Sequence, residues 1–268
     1  RGRAVLAHHG DLIAADAAPL IAADARAVAV ADSQVVVVLH HRFEVALRTI
    51  APDLEILAPV RDQAFKRQEQ LQYLEDRKLP VPPYGAAYSV NRGLWGVTIG
   101  GKETLTSTSS IPDAAWVLSR DAFAHPRPAE QHVIGFERGV PTRLDGVALT
   151  PVELIERLET LGAAYGIGRG IHLGDTIIGT KGRVAFEAPA AELLINAHRE
   201  LEKLVLTSRQ ARIKESVAAP YGDLVHEGQL LDPVCRDIEA LLVSSQARVT
   251  GEVKVLLRPG HAFIEGVD

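Results

Sequence analysis

A glycine-rich stretch near the middle of the chain, residues 166–190, restricts the local fold more than any other segment. Its six glycines separate two short apolar runs, Thr176–Ile178 and Val184–Phe186, and this pattern predicts two strands joined by a tight turn. Lys181 and Arg183 are separated by one glycine, so both cations would leave the hairpin on the same side. This geometry suits an anion, but it also suits a solvated hairpin tip whose cations keep an edge strand soluble. From these residues alone, both interpretations stay open.

The composition predicts a globular protein with no nucleic-acid or membrane partner. The chain has 268 residues, of which 47% are hydrophobic, which is enough for one large or two modest domains. A net charge of −5 lacks the basic character typical of nucleic-acid-binding proteins. We find neither an apolar run near the roughly 20 residues that span a bilayer nor a secretory signal, so we expect a cytoplasmic protein. The single cysteine, Cys235, lies in an apolar helical pattern that indicates a buried thiol in a reducing compartment.

The residues before Tyr88 are predicted to be α/β. Continuous β-branched and apolar runs alternate with helical patterns, which is typical of a parallel sheet. The predicted elements are a helix at Leu20–Ala29, a strand at Val35–Leu39, a helix at Phe43–Ile50, a strand at Leu54–Ala58 and a surface helix at Arg61–Arg77.

The residues after Glu130 predict antiparallel hairpins and long helices, and therefore an α+β second domain. Thr150 and Glu153 form a capping box around a proline at the first helical position. The run Thr104–Ser110 is rich in hydroxyl residues and is expected to be an exposed loop. The further predicted elements are strands at Gln131–Phe136, Val140–Leu144, Val249–Leu257 and His261–Ile264, and helices at Ala190–Leu206, from Thr207 to Gly228 with a kink at Pro220, and from Asp232 to about Ser245.

Two patterns resemble ligand sites but lack a required part. The pairs His8-His9 and His40-His41 would point in opposite directions on a strand, and no thiol or carboxylate spacing completes a site, so we predict no metal centre. The segment Gly96–Glu103 is close to a phosphate-binding loop. A carboxylate stands there in place of the metal-binding hydroxyl, so we do not assign it that function.

Four segments resemble argininosuccinate synthases in the same order along the chain. Residues 166–189 resemble the family segment G-V-G-R…I-G-x-K-S-R-G-x-Y-E-x-P. Residues 88–96 resemble Y-S-x-D-x-N-L-W-G, residues 134–141 resemble I-x-F-E-x-G-V-P, and residues 197–202 resemble A-H-R-x-L-E. The resemblance extends over roughly residues 19–268 and is tight after Tyr88.

The resemblance implies an ATP-dependent ligase of arginine biosynthesis. In this family the ureido oxygen of citrulline attacks the α-phosphate of ATP, giving a citrullyl-adenylate and pyrophosphate, and the amine of aspartate then displaces AMP. Citrulline, aspartate and ATP with Mg²⁺ are therefore the expected ligands, and a homotetramer is the expected assembly. Residues 1–87 would be the end of a nucleotide-binding domain of the ATP-pyrophosphatase type. Residues 88–268 would be a synthetase and multimerisation domain without the family's C-terminal helix. No protein nucleophile is needed, and no catalytic residue is assigned.

The family's nucleotide-binding loops have no counterpart in this sequence. His40-His41 leads directly into Arg42-Phe43-Glu44, where the family has A-H-G-x-T-G-x-G-N-D-Q-V-R-F-E, and the loop S-G-G-x-D-T-S is not found upstream. We expect that these loops are missing from the recorded sequence. Two alternatives remain, namely a non-catalytic homologue acting as an oligomeric binding or regulatory subunit, and a related ligase for a different ureido or amide substrate.

The resemblance also implies a citrulline site. Arg42 matches the arginine that would hold the citrulline carboxylate, and Ser89 and Thr98 would offer hydroxyls to the amino-acid end of the substrate. Gly174 stands where the family has a glutamate, and Phe186 stands where it has a tyrosine. Neither residue can perform the role of the one it replaces. Asp175, beside the lost glutamate, is a candidate for binding the ammonium of citrulline, although a turn aspartate without this role is an equally good interpretation.

Overall fold

The structure, a computed structural model, is a mixed α/β fold. It describes residues 41–57, 63, 66–81, 87–175 and 181–268. The predictions for Leu20–Ala29, Val35–Leu39 and Thr176–Ile178 lie outside these residues, as do those for His8, His9 and His40. No helix in the described part of the chain is long and apolar enough to cross a membrane.

The described residues form six α-helices and two antiparallel sheets. The helices are α1 (His41–Ile50), α2 (Arg67–Asp76), α3 (Pro151–Ala164), α4 (Pro189–Val205), α5 (Ser208–His226) and α6 (Pro233–Gln246). The strands are β1 (Ser89–Gly93), β2 (Gly96–Gly100), β3 (Glu130–Glu137), β4 (Val140–Leu144), β5 (Val147–Ala148), β6 (Arg169–Asp175), β7 (Lys181–Glu187), β8 (Gly251–Arg258) and β9 (His261–Val267).

The chain divides into two compact units. Within the described residues, the first unit contains 41–57, 63, 66–81 and 212–244, and the second contains 87–175, 181–211 and 245–268. The parallel sheet predicted for the first part of the chain is not found among the described residues, since both of their sheets are antiparallel.

In the first unit the structure confirms two predicted helices and corrects one strand. Helix α1 ends at Ile50 as predicted, and α2 is shorter than the predicted Arg61–Arg77. The predicted strand Leu54–Ala58 is wrong over residues 54–57, which are irregular. The N–H of Leu54 donates to the carbonyl oxygen of Ala51 at 3.0 Å, so the backbone turns back on the end of α1 instead of extending.

Cys235 lies in α6 and is fully buried, which confirms the prediction of a buried thiol. Burial raises the pKa of this thiol. A thiol with a raised pKa is a poor nucleophile at neutral pH, so Cys235 acts as a core residue.

In the second unit a five-stranded sheet, in the order β5-β4-β3-β8-β9, packs against α3 and α4. Both helices bury apolar residues at helical spacing. The largest side chains of this core are Ile134, Phe136, Leu154, Leu158, Tyr165, Leu193, Leu201 and Leu257.

Local capping explains why these helices begin where they do. The backbone N–H of Thr150 donates to Oε2 of Glu153 at 2.9 Å, and Pro151 follows at the first helical position, as predicted. Thr207 and Gln210 form the same reciprocal pair at 3.1 and 3.2 Å before α5. The capping box predicted at Thr150 is confirmed, and the predicted start of a helix at Thr207 is explained by the same kind of pair.

The second sheet of this unit has four strands in the order β1-β2-β7-β6. The hairpin predicted for residues 166–190 is present, but its strands are β6 and β7, so Lys181 and Arg183 lie within β7 rather than on a turn. Ile171 and Leu173 alternate with Gly170, His172 and Gly174 along β6, and this alternation hid the strand from a search for continuous apolar runs.

The segment Thr104–Ser110 differs in part from the predicted exposed loop. Residues Lys102–Leu105 form a short 3-10 helix in which Thr104 is buried. Its hydroxyl accepts from the N–H of Gly101 at 2.7 Å, so a local side-chain hydrogen bond stabilises the turn. Leu105 to Thr108 are exposed, as expected.

Candidate functional site

One face of the four-stranded sheet carries the two hydroxyl groups predicted to contact substrate. Asn91 pairs with Thr98, Thr98 with Phe186, and Phe186 with Gly170. Residues directly opposite each other in antiparallel strands project to the same face, so these four form a row across all four strands. The side chains of Ser89, Asn91 and Thr98 are exposed, and we call this the outer face. Its further positions are Gly100, His172, Gly174, Gly182 and Val184.

The register brings Ser89 and Thr98 together. Ser89 lies two residues before Asn91 on β1 and is therefore a diagonal neighbour of Thr98, at a typical distance of roughly 7–8 Å. Ser89 itself pairs with Gly100, whose absent side chain leaves the sheet surface open. A Cβ placed on Gly100 would find no atom nearer than the carbonyl oxygen of Ser89 at 4.0 Å. A ligand can therefore approach the backbone beside the two hydroxyls.

Two rings occupy the other half of the outer face. The Phe186 ring lies across Gly170, where a Cβ would clash with its tip. The imidazole of His172 leans over Gly174, and a Cβ there would stand 2.5 Å from Nε2. The outer face thus combines hydroxyls on β1 and β2, a glycine floor, an apolar ring and an exposed imidazole on β6.

The opposite, inner face of this sheet is packed against residues 101–123. Val97, Ile99 and Ala185 form a small core with Trp116 on this side. Glu187 is fully buried on the same face and accepts hydrogen bonds from the backbone N–H groups of Val117, at 2.6 Å, and Leu118 and Ser119, both at 2.9 Å. A carboxylate held by backbone donors is a strong local anchor.

Arg169 completes this anchor from the neighbouring strand. Its Nε donates to the hydroxyl of Ser119 at 2.7 Å and its Nη1 donates to Asp113 at 2.8 Å. The guanidinium also lies over the rings of Trp116 and Phe123, with its carbon 4.9 and 4.7 Å from their centroids. The motif residues Arg169 and Glu187 therefore support the sheet from behind instead of facing a ligand.

Arg183 decides between the two interpretations of the hairpin cations. Its guanidinium donates to the backbone carbonyls of Glu103 at 2.9 Å, Thr106 at 2.5 Å and Ser109 at 2.8 Å. Arg183 is thus neither an anion ligand nor a solvated tip, because its donors hold the segment after β2 against the inner face. Lys181 lies two residues earlier on β7, and its side chain is exposed.

The start of β1 is fixed by a polar pair. The Tyr88 hydroxyl donates to Oε2 of Glu103 at 2.6 Å. This hydrogen bond, together with burial and the nearby negative charge, raises the pKa of Tyr88 to about 12. The same hydrogen bond lowers the pKa of Glu103. Gly96–Glu103 forms a strand and a 3-10 turn, which is not the architecture of a phosphate-binding loop.

The structure describes less of the other two predicted site residues, Asp175 and Arg42. Asp175 pairs with Lys181 at the last register position of β6, and its side chain lies outside the description. Arg42 is the second residue of α1 in the first unit, and its side chain lies outside the description. Of the four predicted site residues, Ser89 and Thr98 are therefore the two whose relative placement the structure describes.

Sequence reasoning missed His172 and the packing of Phe186 over Gly170. The pattern Gly170, His172, Gly174 has a period of two and would have indicated a strand face lined by small residues around one imidazole. It was overlooked because β6 was predicted to begin later. In the described part of the chain, no group of three or more His, Cys, Asp or Glu side chains could hold a metal ion.

The fold and this face define a mixed α/β domain that presents a small polar surface on an antiparallel sheet. The profile of a known domain, the arginosuccinate synthase C-terminal domain, matches residues 88–268. The chain belongs to the argininosuccinate synthase family, as the resemblance of its motifs indicated.

Individual relatives agree with this assignment. The argininosuccinate synthase of Methanocaldococcus jannaschii is 38% identical over 227 residues, which cover 85% of this chain and 57% of the relative. That of Xanthomonas campestris pv. campestris is 41% identical over 225 residues, covering 82% and 56%. That of Staphylococcus saprophyticus is 34% identical over 226 residues, covering 84% and 56%. The chain thus spans little more than half the length of the relatives it matches.

Proposed function

We propose that this protein is an argininosuccinate synthase. It condenses citrulline and aspartate at the expense of ATP through a citrullyl-adenylate, and it releases pyrophosphate and then AMP. The observation that carries the proposal is the family match over residues 88–268, which includes the outer face with Ser89 and Thr98. The relatives are themselves named as synthases, so the alternative of a non-catalytic subunit gains no support from them.

In this proposal the outer face binds the amino-acid end of citrulline. The hydroxyls of Ser89 and Thr98 donate to or accept from its polar groups, and the ring of Phe186 covers its methylene chain. Arg42 holds the carboxylate through a paired guanidinium contact, as the resemblance implies. Asp175 remains the resemblance-based candidate for the ammonium. These contacts would orient the ureido oxygen, which is the atom that has to attack phosphorus.

ATP, Mg²⁺ and aspartate belong to the same proposal, as does the division into a nucleotide-binding part, residues 1–87, and a synthetase part, residues 88–268. Mg²⁺ bound with ATP would neutralise phosphate charge. The described residues contain no metal-ligand cluster, so we assign none of them to the ion. A homotetramer in the cytoplasm completes the proposal, on the strength of the family resemblance.

An isotope experiment tests the reaction and its intermediate together. The full-length protein is incubated with citrulline labelled with heavy oxygen in the ureido group, aspartate and MgATP. Because the ureido oxygen bonds to the α-phosphorus and leaves with AMP, the label should appear in AMP and be absent from pyrophosphate and argininosuccinate. Failure of a folded protein to form argininosuccinate would overturn the proposal. Unlabelled AMP would overturn the adenylate step.

A further inference from the structure

An ion pair joins the end of β1 to helix α3. Arg92 pairs with the buried Val97 in the sheet, so its side chain leaves β1 on the inner face, opposite to Ser89. Its Nη2 donates to Oε1 of Glu159 at 3.1 Å. The two residues are 67 positions apart in the sequence, so this contact belongs to the tertiary structure and not to a local turn.

Glu159 is the buried partner of this pair. Its side chain is 13% exposed, whereas that of Arg92 is 63% exposed. Its second oxygen, Oε2, is buried and accepts no hydrogen bond from the described part of the chain. Burial raises the pKa of Glu159, as do the nearby carboxylates of Glu156 on the same helix and Glu187 at the end of β7, whereas Arg92 lowers it. Arg92 is therefore the neighbour that favours the ionised form of this carboxylate.

Strand β1 depends on such contacts because it lies at the edge of the four-stranded sheet. Its backbone pairs with β2, and no strand of the described residues pairs with its other side, so side-chain contacts have to supply the rest of its attachment. The turn after β1 packs through Leu94 and Trp95 against the core that contains Leu158 of α3. The Arg92 end of β1 is thus attached to this helix by both apolar contacts and an ion pair.

The position of β1 determines the distance between the two hydroxyls of the outer face. Ser89 lies on β1, three residues before Arg92, and Thr98 lies on β2. Opening of β1 would move Ser89 and leave Thr98 in place, because β2 is also paired with β7. A substrate that contacts both hydroxyls would then have to order β1 as it binds, and the cost of this ordering would weaken its binding.

We propose that Arg92 and Glu159 are positioning residues whose ion pair keeps β1 in the arrangement that binds the amino-acid substrate. This inference rests on the proposed function, in which that substrate is citrulline. In the attached state Ser89 and Thr98 contact the substrate together. Because Arg92 favours the carboxylate, uptake of a proton by Glu159 weakens their contact and loosens β1. Neither member of the pair touches the substrate or the reacting atoms.

The inference predicts a direction for the pH dependence of citrulline binding. Since its pKa is raised, Glu159 takes up a proton at a higher pH than an ordinary glutamate, and citrulline affinity should begin to fall while the pH is still above the usual glutamate range. Glutamine has nearly the shape of the protonated glutamic acid and does not titrate. Glu159→Gln should therefore bind citrulline a few-fold more weakly than the wild type at neutral pH and should lack this component of the pH dependence.

Calorimetric titration of citrulline into the full-length protein tests the inference. Glu159→Leu should bind citrulline about fivefold more weakly, which is the effect expected from the loss of one partly exposed ion pair. The affinity for MgATP should stay that of the wild type. Glu137→Leu is the matched control, since it breaks an ion pair with Arg143 at 2.7 Å in a hairpin of the other sheet, and its affinity for citrulline should equal that of the wild type.

Hydrogen exchange followed by mass spectrometry measures the attachment of β1 without any substrate. In Glu159→Leu the amides of residues 89–93 should exchange faster than in the wild type, while those of β7 should be unchanged. Arg92→Met is a second variant, whose exposed position makes misfolding no concern. It should show the same faster exchange and the same loss of affinity, and the double variant should lose no more affinity than either single variant.

Three outcomes would contradict the inference. Wild-type citrulline affinity in both Arg92→Met and Glu159→Leu would overturn it and leave the proposed function intact. Weaker binding without faster exchange of β1, or with an equal loss of MgATP affinity, would also overturn it, because the effect would not arise from the attachment of this strand. A wild-type protein that binds no citrulline would overturn the inference and the proposed function together.

Discussion

Ser119 donates two hydrogen bonds to one oxygen of Glu187, from its backbone N–H at 2.9 Å and from its hydroxyl at 2.5 Å. The other carboxylate oxygen accepts from the N–H groups of Val117 and Leu118. The carboxylate is fully buried at the end of β7, directly behind the outer face. The floor of the proposed citrulline site is therefore held in register by a segment that does not itself contact the outer face.

Replacement of Glu187 by glutamine should destabilise the protein by about 2 to 4 kcal/mol, because the amide nitrogen would face backbone N–H donors and leave them unsatisfied. Urea unfolding measures the resulting decrease in the free energy of unfolding. The control is Glu137→Gln, which breaks an exposed ion pair with Arg143 at 2.7 Å and should cost no more than about 1 kcal/mol. Equal effects of the two changes would contradict a special role for Glu187.

The pair of Tyr88 and Glu103 predicts a defined response to pH. The pKa of Tyr88 is raised to about 12 from 10.0, so its stabilising contribution is fully present below the ordinary tyrosine value and is lost as pH rises through about 12. The pKa of Glu103 is lowered, so the contribution of this carboxylate is present above its unfolded pKa and is lost as pH falls through the lower folded value.

Ultraviolet titration of tyrosine ionisation measures the first of these effects. In Glu103→Gln one tyrosine should ionise at a lower pH than in the wild type, since its charged hydrogen-bond acceptor is gone. Tyr88→Phe assigns that transition, because the shifted component should be absent when Tyr88 is replaced. A titration curve of Glu103→Gln that overlays the wild-type curve would refute the coupling of the two groups.

Helix starts could be predicted from the sequence because their determinants are local. The capping boxes at Thr150 and Thr207 involve residues three positions apart, and the structure has both. A hairpin in this region was also predicted, but the bounds predicted for its strands differ from those of β6 and β7. The sequence does alternate Gly170, His172 and Gly174 with Ile171 and Leu173, but this strand pattern was overlooked because the first strand of the hairpin was expected at Thr176–Ile178.

The support of the site could not be predicted, because its partners are distant in sequence. Glu187 and Val117 are 70 residues apart, and Arg169 and Ser119 are 50 apart. No local pattern marks Ser119 as the residue that joins an arginine to a buried glutamate. The motif resemblance identified Arg169 and Glu187 as family residues but did not separate those that face a ligand from those that hold the sheet.

Gly170→Ala should disturb the outer face directly. The added methyl group would clash with the Phe186 ring, and moving that ring should cost about 1 to 3 kcal/mol of stability and weaken citrulline binding. Gly222→Ala is the matched control, since nothing lies within 4 Å of a Cβ at this position in α5. That change should stabilise the helix by about 0.5 to 1 kcal/mol. Thermal unfolding separates the two outcomes, and a stabilised Gly170→Ala protein would argue against the ring position.

Ser89→Ala and Thr98→Val remove the two hydroxyls proposed to bind citrulline. Each change should weaken citrulline binding by about 1 to 3 kcal/mol, because a polar substrate group loses its partner. Since both side chains are exposed on strands, the stability of the free protein should change by no more than about 0.5 kcal/mol. Thr108→Ala removes an exposed hydroxyl from outside the sheet and serves as the control.

Ser89 and Thr98 are diagonal neighbours, so their effects on citrulline binding should be coupled if both hydroxyls contact one substrate group. In that case the double variant should lose less binding free energy than the sum of the two single losses. Calorimetry measures all four affinities, and unchanged binding in both single variants would remove the outer face from the citrulline site.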